Sequence, residues 1–141
     1  MAITHISTGD WETLGSAASE IRRKVFIDEQ NVPQEEEWDG LDPACQHFLA
    51  MLDGQPVGTA RLLPDAHIGR VAVVANARGT GIGVLLMQAA IEAARHAGHP
   101  QVALSAQVHA LAFYERLGFV AHGDEFLDAG IPHREMTLSL D

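Results

Sequence analysis

The segment from His67 to Ala97 most constrains what this chain can fold into, because its pattern changes twice in a fixed order. It begins with Ile68–Ala75, which is apolar, rich in valine and short enough to be a buried strand. The next residues, Asn76–Gly83, are small, polar and rich in glycine. From Ile82 onward the apolar residues take helical spacing, until Gly98 ends the helix. The segment therefore predicts a strand, a glycine loop and a helix.

The predicted helix starts in the glycine loop and buries one apolar stripe. The stripe consists of residues at helical spacing, namely Ile82, Leu85, Leu86, Ala89, Ala90 and Ala93. The first N–H groups of a helix lack partners within it, and the aligned peptide dipoles leave about half a positive charge at that end. Because Gly79, Gly81 and Gly83 have no Cβ, a phosphate can approach their backbone closely. The loop therefore predicts an anion-binding site.

Three known phosphate-binding sequence patterns can be compared with this loop, and two of them do not match it fully. A nucleoside-triphosphate loop ends in Gly-Lys-Ser/Thr, but here the helix opens without a lysine. The dinucleotide pattern G-x-G-x-x-G has Val84 in place of its third glycine, and no acidic residue follows at about twenty residues. Such a loop can also be only a tight turn. The pattern that fits is R-x-x-G-x-G over Arg78–Gly83, which resembles the pyrophosphate-binding motif of the GNAT superfamily of acetyl-CoA-dependent N-acetyltransferases.

Length and composition bound the architecture. The 141 residues suit one domain, spanning 1–141, and no run approaches the roughly 18 apolar residues of a membrane span. The N-terminus has neither the basic start nor the apolar core of a signal peptide, so a cytoplasmic protein is expected. A net charge of -10 argues against nucleic-acid binding and would attract a cationic amine.

The sequence predicts no metal cofactor. Its one cysteine, Cys45, excludes an internal disulfide and cannot form a structural zinc site alone. We expect this cysteine to be a small buried residue and not a nucleophile.

The first part of the chain predicts a strand over Ala2–Ile6 and a helix over about Trp11–Val25, capped by Asp10. Cations near a helix C-terminus interact favourably with the dipole, which accounts for Arg22–Lys24. The acidic run Glu35–Glu37 is interpreted as a solvated loop. The inward residues of the helix are Leu14, Ala17, Ala18, Ile21 and Val25.

The rest of the chain predicts mainly strands. Two of them are joined by Asp53-Gly54, which is a strong hairpin signal. The strand that follows the glycine-loop helix should run parallel to the strand before the loop, since a helix crosses over between them. The predicted elements are strands at Gln46–Leu52, Pro56–Leu63, Gln101–Ala106, Phe119–His122 and His133–Leu140, and a short helix at Val108–Leu117.

Further segments extend the resemblance from about Arg22 to the end of the chain. The stretch Ala112–Phe119 resembles the A-x-x-F-Y-x-x-x-G-F signature of GNAT proteins, and Phe113–Phe119 matches its F-Y-x-x-x-G-F end. The order R-x-x-V-F-x-x-E-Q-x-V-P, which starts at Arg22, and D-A-G-I-P-H, which ends at His133, resemble the ElaA-like branch. The resemblance implies a GNAT-like α/β (α+β) fold, with a mixed, mainly antiparallel central sheet of about six or seven strands. Helices flank this sheet, and a parallel strand pair splays at the cofactor site.

The resemblance also implies which residues bind acetyl-CoA and the acceptor. Many GNAT proteins carry an asparagine before the tyrosine helix, where this chain offers only Gln107 as a substitute. Phe26, Gln30, His47 and His133 are the implied acceptor-side residues. The implied cofactor residues are Val71, Ala72 and Val73 beside the pantetheine arm, Arg78, Gly79, Thr80, Gly81, Ile82, Gly83 and Val84 at the pyrophosphate, and Gln107 and Phe113.

The implied reaction is direct attack of an amine on the thioester. An alkylamine with a pKa near 10.4 is mostly protonated at neutral pH, so a base is needed. Glu29 is the predicted base, directly or through water, with His47 and His133 as rivals. Tyr114, with an ordinary pKa of about 10, is the predicted acid for the departing thiolate. A backbone N–H near Val73 is expected to hold the oxyanion.

A different class of function stays open at this point, namely a domain that binds CoA or another pyrophosphate without catalysis. Tyr114 and Glu29 argue against it, since a pure binding domain needs neither. The acceptor also stays open among small amines, amino acids, antibiotics, polyamines and protein amines. A homodimer is implied by the resemblance alone.

Overall fold

The computed structural model describes residues 3–140 and has seven strands in two sheets within that range. The first sheet has the order β1-β2-β3-β4 and the second β5-β7-β6, and every paired neighbour is antiparallel. The predicted start of the first strand at Ala2 lies outside the described residues. The strands are β1 (Thr4–Gly9), β2 (Gln46–Leu52), β3 (Gln55–Leu62), β4 (Ile68–Val73), β5 (Gln101–Gln107), β6 (Val120–Asp128) and β7 (Ile131–Ser139).

Helices flank these sheets, which confirms the predicted mixed α/β architecture. Asp10 caps the first helix as expected, because its side chain accepts a hydrogen bond from Thr13 N at 2.8 Å. That helix continues into a π-helical segment, Arg23–Glu29. No helix within residues 3–140 combines the length and the apolarity needed to cross a membrane. The α-helices are α1 (Trp11–Arg22), α2 (Gln34–Glu37), α3 (Ile82–His96) and α4 (Leu111–Arg116).

Strands β4 and β5 lie side by side but do not form a ladder. A single parallel bridge joins His67 to Ala103, and Ala103 N donates to Ala66 O at 3.1 Å. Within the described residues no strand pairing joins β4 and β5 beyond this bridge, so the two strands splay as expected. The edge of β4 that faces β5 is consequently left open.

The helix α3 packs closely on the first sheet, although the predicted stripe was wrong in part. Leu85 is 38% exposed, whereas Met87 and Ile91 are buried. The helix carries apolar residues on more than one side, so the helical spacing of apolar residues does not by itself identify the buried face. Gly58 on β3 permits the close contact, because a Cβ there would lie 2.9 Å from Leu86 Cδ1.

Candidate active site

A cavity of about 790 Å³ opens where β4 and β5 diverge. Residues of the π-helical segment, the end of β5, helix α4 and strand β7 all line it. The backbone that the splay leaves unpaired therefore borders a space large enough for a substrate. The residues predicted from the sequence that line this cavity are Phe26, Gln30, Val71, Ala72, Val73, Arg78, Gln107, Tyr114 and His133.

The glycine loop precedes α3 as predicted. Gly79 and Gly81 have φ angles of +78° and +83°, and a Cβ at either would meet nothing within 4 Å. Their backbone conformation, and not a lack of space, therefore favours glycine. Gly81 is the N-cap residue of α3 and supplies no side-chain cap, so the first-turn N–H groups are not capped by a side chain.

The other residues of the loop and of the helix start make contacts within the protein. Thr80 Oγ1 donates to Ala77 O at 2.6 Å, and the side chain of Ile82 is buried in the core. A Cβ at Gly83 would lie 3.2 Å from the ring of Phe113, so glycine permits this ring to pack against the helix start. Val84 is half-buried on the first turn of α3. The contact of Phe113 is thus with the first turn of α3, directly after the glycine loop.

Arg78 is held by two groups next to the cavity. Its Nε donates to Val73 O at 2.8 Å, while Nη1 and Nη2 donate to the two carboxylate oxygens of Glu29 at 2.9 and 2.8 Å. Glu29 is not among the cavity-lining residues. The sequence-predicted base is thus paired with the sequence-predicted pyrophosphate ligand, and the structure does not bring it beside Tyr114.

Tyr114 lies on α4 between two aromatic rings. The ring centroids of Phe113 and Phe119 are 5.0 and 6.0 Å away, both in edge-to-face geometry. Burial raises the pKa of Tyr114 to about 12. The hydroxyl is therefore protonated at neutral pH, as a proton donor must be.

The residues predicted for the acceptor side, together with Gln107, come from distant parts of the chain. Gln107 Nε2 donates to Gln30 Oε1 at 2.9 Å, which links the end of β5 to the π-helical segment. His133 lies on β7 and is 8% exposed, with Nδ1 2.7 Å from Ile131 O. Phe26 contributes a partly buried ring. These four predicted positions are close in space although they are far apart in sequence.

His47 lies elsewhere. It is 1% exposed and does not line the cavity, its ring centroid is 4.9 Å from that of Trp11, and Nε2 is bonded to Asp42 O at 2.9 Å. Burial lowers the pKa of His47, so the neutral form is favoured in the fold. The structure therefore gives this histidine a place in the core and does not bring it to the acceptor side.

A buried ion network behind the acceptor side was missed by the sequence analysis. Arg22 is 1% exposed, with Nε 3.0 Å from Glu37 Oε1 and Nη1 2.7 Å from Asp42 Oδ1. Its guanidinium also lies 5.5 and 5.0 Å from the ring centroids of Trp11 and Trp38. Arg22 does lie in the last turn of α1, but the interpretation that the helix dipole alone accounts for it was wrong. A signal was present, because Arg22 lies four residues after the inward Ala18.

The same network corrects the interpretation of the acidic run. Glu37 is 2% exposed, and its Oε2 lies 2.8 Å from Arg70 Nε, so it is not part of a solvated loop. Arg70, which lines the cavity, has a φ of +50° on β4, and Arg61 binds both Asp39 and Asp42. These contacts fix the segment before β2 against the sheet. A buried carboxylate is tolerated there because cations on other elements pair with it.

The residues that the structure describes contain no group of three or more His, Cys, Asp or Glu side chains suited to a metal ion. Cys45 is buried, and its Sγ lies 3.3 Å from Leu41 O. Burial raises the pKa of Cys45, which keeps it in the unreactive thiol form.

Comparisons with known proteins agree with this geometry. A family model described as "Acetyltransferase (GNAT) domain" matches residues 14–140. The uncharacterized N-acetyltransferase YjcF of Bacillus subtilis is 39% identical over 120 residues, which cover 82% of this chain and 86% of that protein. The crystal structure of an acyl-CoA N-acyltransferase from Pseudomonas aeruginosa is 34% identical, with a TM-score of 0.86 over 97% of this chain and 100% of that one. Escherichia coli ElaA is 29% identical, with a TM-score of 0.86 and the same coverage.

Proposed function

The chain belongs to the GNAT family of acetyltransferases, and we propose that it transfers the acetyl group of acetyl-CoA to a primary amine with Tyr114 as general acid. As a member of this family it is an acyltransferase enzyme that uses an acyl-CoA co-substrate and an amine acceptor. One observation carries the proposal. The open edge of β4, Arg78 and Tyr114 border a single cavity at the splay of β4 and β5.

Several features of the chain fit an acyl-CoA. The uncapped start of α3, with positive φ at Gly79 and Gly81, suits a pyrophosphate, and Arg78 adds a cation beside it. The edge of β4 at Val71–Val73 can pair with the amide groups of the pantetheine arm, as an added strand would. Gln107 can offer its amide to the same arm if it exchanges its bond to Gln30.

The residues at the splay suit the steps of acyl transfer. The bound thioester supplies an activated acyl group, and an N–H of the β4 edge near Val73 is proposed to stabilise the charge on its oxygen. The pKa of Tyr114, about 12, lies above the value of about 8.5 for a free thiol. Tyr114 is therefore protonated before the reaction, and its proton moves to sulfur only as the C–S bond breaks.

The net charge of the protein is the observation that bears on the kind of acceptor. A net charge of -10 favours a cationic amine, either a small molecule or a peptide. The cytoplasmic location and the homodimer stay predictions.

The Tyr114→Phe variant tests the proposal. The change keeps the ring between Phe113 and Phe119 and removes only the hydroxyl, so we expect kcat to fall about 100- to 10,000-fold. The calorimetric Kd for acetyl-CoA should stay within about twofold, because the hydroxyl acts on the transition state. Turnover is measured as CoA release over a panel of amines. Because Tyr114 is the only tyrosine of the sequence, its tyrosinate absorbance also reports its pKa directly.

Two results would contradict the proposal. If Tyr114→Phe retained wild-type kcat, the hydroxyl would not be the acid. If the wild type bound acetyl-CoA but released CoA with none of the amines, a binding domain without catalysis would be the better account.

A further inference from the structure

We propose that His133 is the general base that accepts the proton of the acceptor amine. This inference rests on the proposed acetyl transfer and adds a catalytic residue to it. His133 and Tyr114 line the same cavity, although they lie on different elements, β7 and α4. The cavity thereby holds one group suited to accept a proton and one suited to donate a proton.

The hydrogen bond of the ring fixes its tautomer. Nδ1 of His133 lies 2.7 Å from Ile131 O, and a carbonyl oxygen can only accept a hydrogen bond. Nδ1 must therefore carry the hydrogen and donate it. In the neutral ring Nε2 then has the lone pair, and no hydrogen bond from a described residue occupies it. The ring presents the form that a general base requires.

The strands on both sides hold the ring in place. β7 is the central strand of its sheet, so His133 pairs with Gln107 on β5 and with Phe126 on β6. The ring of Phe126 stacks on the imidazole with 5.9 Å between centroids and an interplanar angle of 24°. A base on a central strand keeps its position without a large entropic cost on binding.

The rival bases named from the sequence, Glu29 and His47, are placed less well. Glu29 binds Arg78 through both oxygens and does not line the cavity, and His47 is in the core. The other titratable or charged side chains that line the cavity with His133 and Tyr114 are Glu36, Glu37, Arg61, Asp65, His67, Arg70, Arg78, His109 and Asp128. Within this set Glu37, Arg61, Arg70 and Arg78 are in ion pairs, and Asp65 pairs with His67.

The proposed step conserves atoms and charge. Nε2 of His133 takes one proton from the ammonium group, and the freed nitrogen forms a bond to the thioester carbon. The C–S bond then breaks with its electron pair on sulfur, which takes the proton of Tyr114. The amide nitrogen loses its second proton, which restores the Tyr114 hydroxyl, and His133 releases its proton to water. The sum is an amide, a free thiol and one proton.

The His133→Asn variant tests the assignment. The asparagine amide nitrogen can take the place of Nδ1 and keep the bond to Ile131 O, whereas nothing replaces Nε2. We expect kcat to fall about 100- to 10,000-fold, with KM for acetyl-CoA little changed. Imidazole added to the buffer should restore part of the lost rate, which a structural role of His133 would not produce. The matched control is His109→Asn, since His109 lines the same cavity and its ring has no hydrogen bond to a described residue that would fix its tautomer.

The outcomes separate this inference from the proposed function. If the wild type turns over and His133→Asn is folded with wild-type kcat, the assignment of the base is overturned while acetyl transfer stands. If His109→Asn loses as much rate as His133→Asn, the assignment also fails, because the loss would not depend on the fixed tautomer. A wild type that releases no CoA with any amine would refute acetyl transfer itself.

Discussion

Replacing Arg22 with methionine removes a buried cation from the network behind the acceptor side. Arg22 Nε and Nη1 lie 3.0 and 2.7 Å from the carboxylates of Glu37 and Asp42, and all three side chains are almost fully buried. Methionine keeps an apolar chain of similar length between Trp11 and Trp38. The variant therefore tests the charge and leaves most of the packing in place.

The expected loss of unfolding free energy depends on the buried carboxylates that lose Arg22 as a partner. Removing one partner of a buried ion pair costs about 3–5 kcal/mol, because the remaining charge is buried without compensation. Here Arg70 still pairs with Glu37 and Arg61 still pairs with Asp42, which favours the lower end, about 3 kcal/mol. A domain of this size has a free energy of unfolding of about 5–15 kcal/mol. At about 4 °C per kcal/mol, the melting temperature should fall by about 12 °C.

The neighbouring residue supplies the control. Arg23 also forms two ion pairs, with Glu20 and Asp28, but its side chain is 48% exposed. Arg23→Met should cost less than about 1 kcal/mol, as exposed pairs do. Urea unfolding followed by tryptophan fluorescence measures both variants. Equal losses for the two variants, or a loss below about 1 kcal/mol for Arg22→Met, would refute the account of a buried network.

Two further predictions concern charge. Glu29→Gln should remove the ion pair that holds the guanidinium of Arg78. An exposed ion pair contributes about 0.2–1 kcal/mol. Without this competing pair, calorimetry should give an acetyl-CoA Kd up to about fivefold lower. Its kcat should stay close to that of the wild type, and a loss of about 100-fold would instead identify Glu29 as the base. Hydrogen bonds from Arg61 hold the pKa of Asp39 well below 3.8, so the ionised carboxylate stabilises the fold above that pH. The melting temperature should therefore fall as the pH drops below about 4, and Asp39→Asn should make this fall less steep.

The strand, glycine loop and helix of the proposed cofactor side could be predicted from the sequence because they are adjacent in the chain. A buried strand, glycines with positive φ and a helix start follow one another between Ile68 and His96. Their geometry is set by local backbone preferences, which individual residues reveal. The same reason explains why the Asp53-Gly54 hairpin and the Asp10 cap were predicted correctly.

The ion network could not be predicted in the same way. Its arginines come from α1, β3 and β4, and its carboxylates from the segment between α1 and β2. Residue type does not distinguish Arg22 from Arg23, although one is buried and the other is not; only the helical spacing from Ala18 separates them. Only the tertiary fold brings Glu37 between two guanidinium groups, so the acidic run was interpreted by its composition alone.

This difference between contiguous motifs and long-range contacts explains why the sequence supports a detailed hypothesis for the acyl side but does not identify the acceptor. The proposed acyl side consists of the edge of β4, the start of α3 and Tyr114, which belong to motifs contiguous in the chain. The acceptor side is formed by side chains from separate elements, such as Gln30 and His133, and is backed by ion pairs over long sequence distances. Arg22 shares Glu37 with Arg70 in the cavity wall, whereas none of the ion pairs of this network includes Arg78 or Tyr114. We therefore expect Arg22→Met to raise KM for the acceptor amine more than KM for acetyl-CoA.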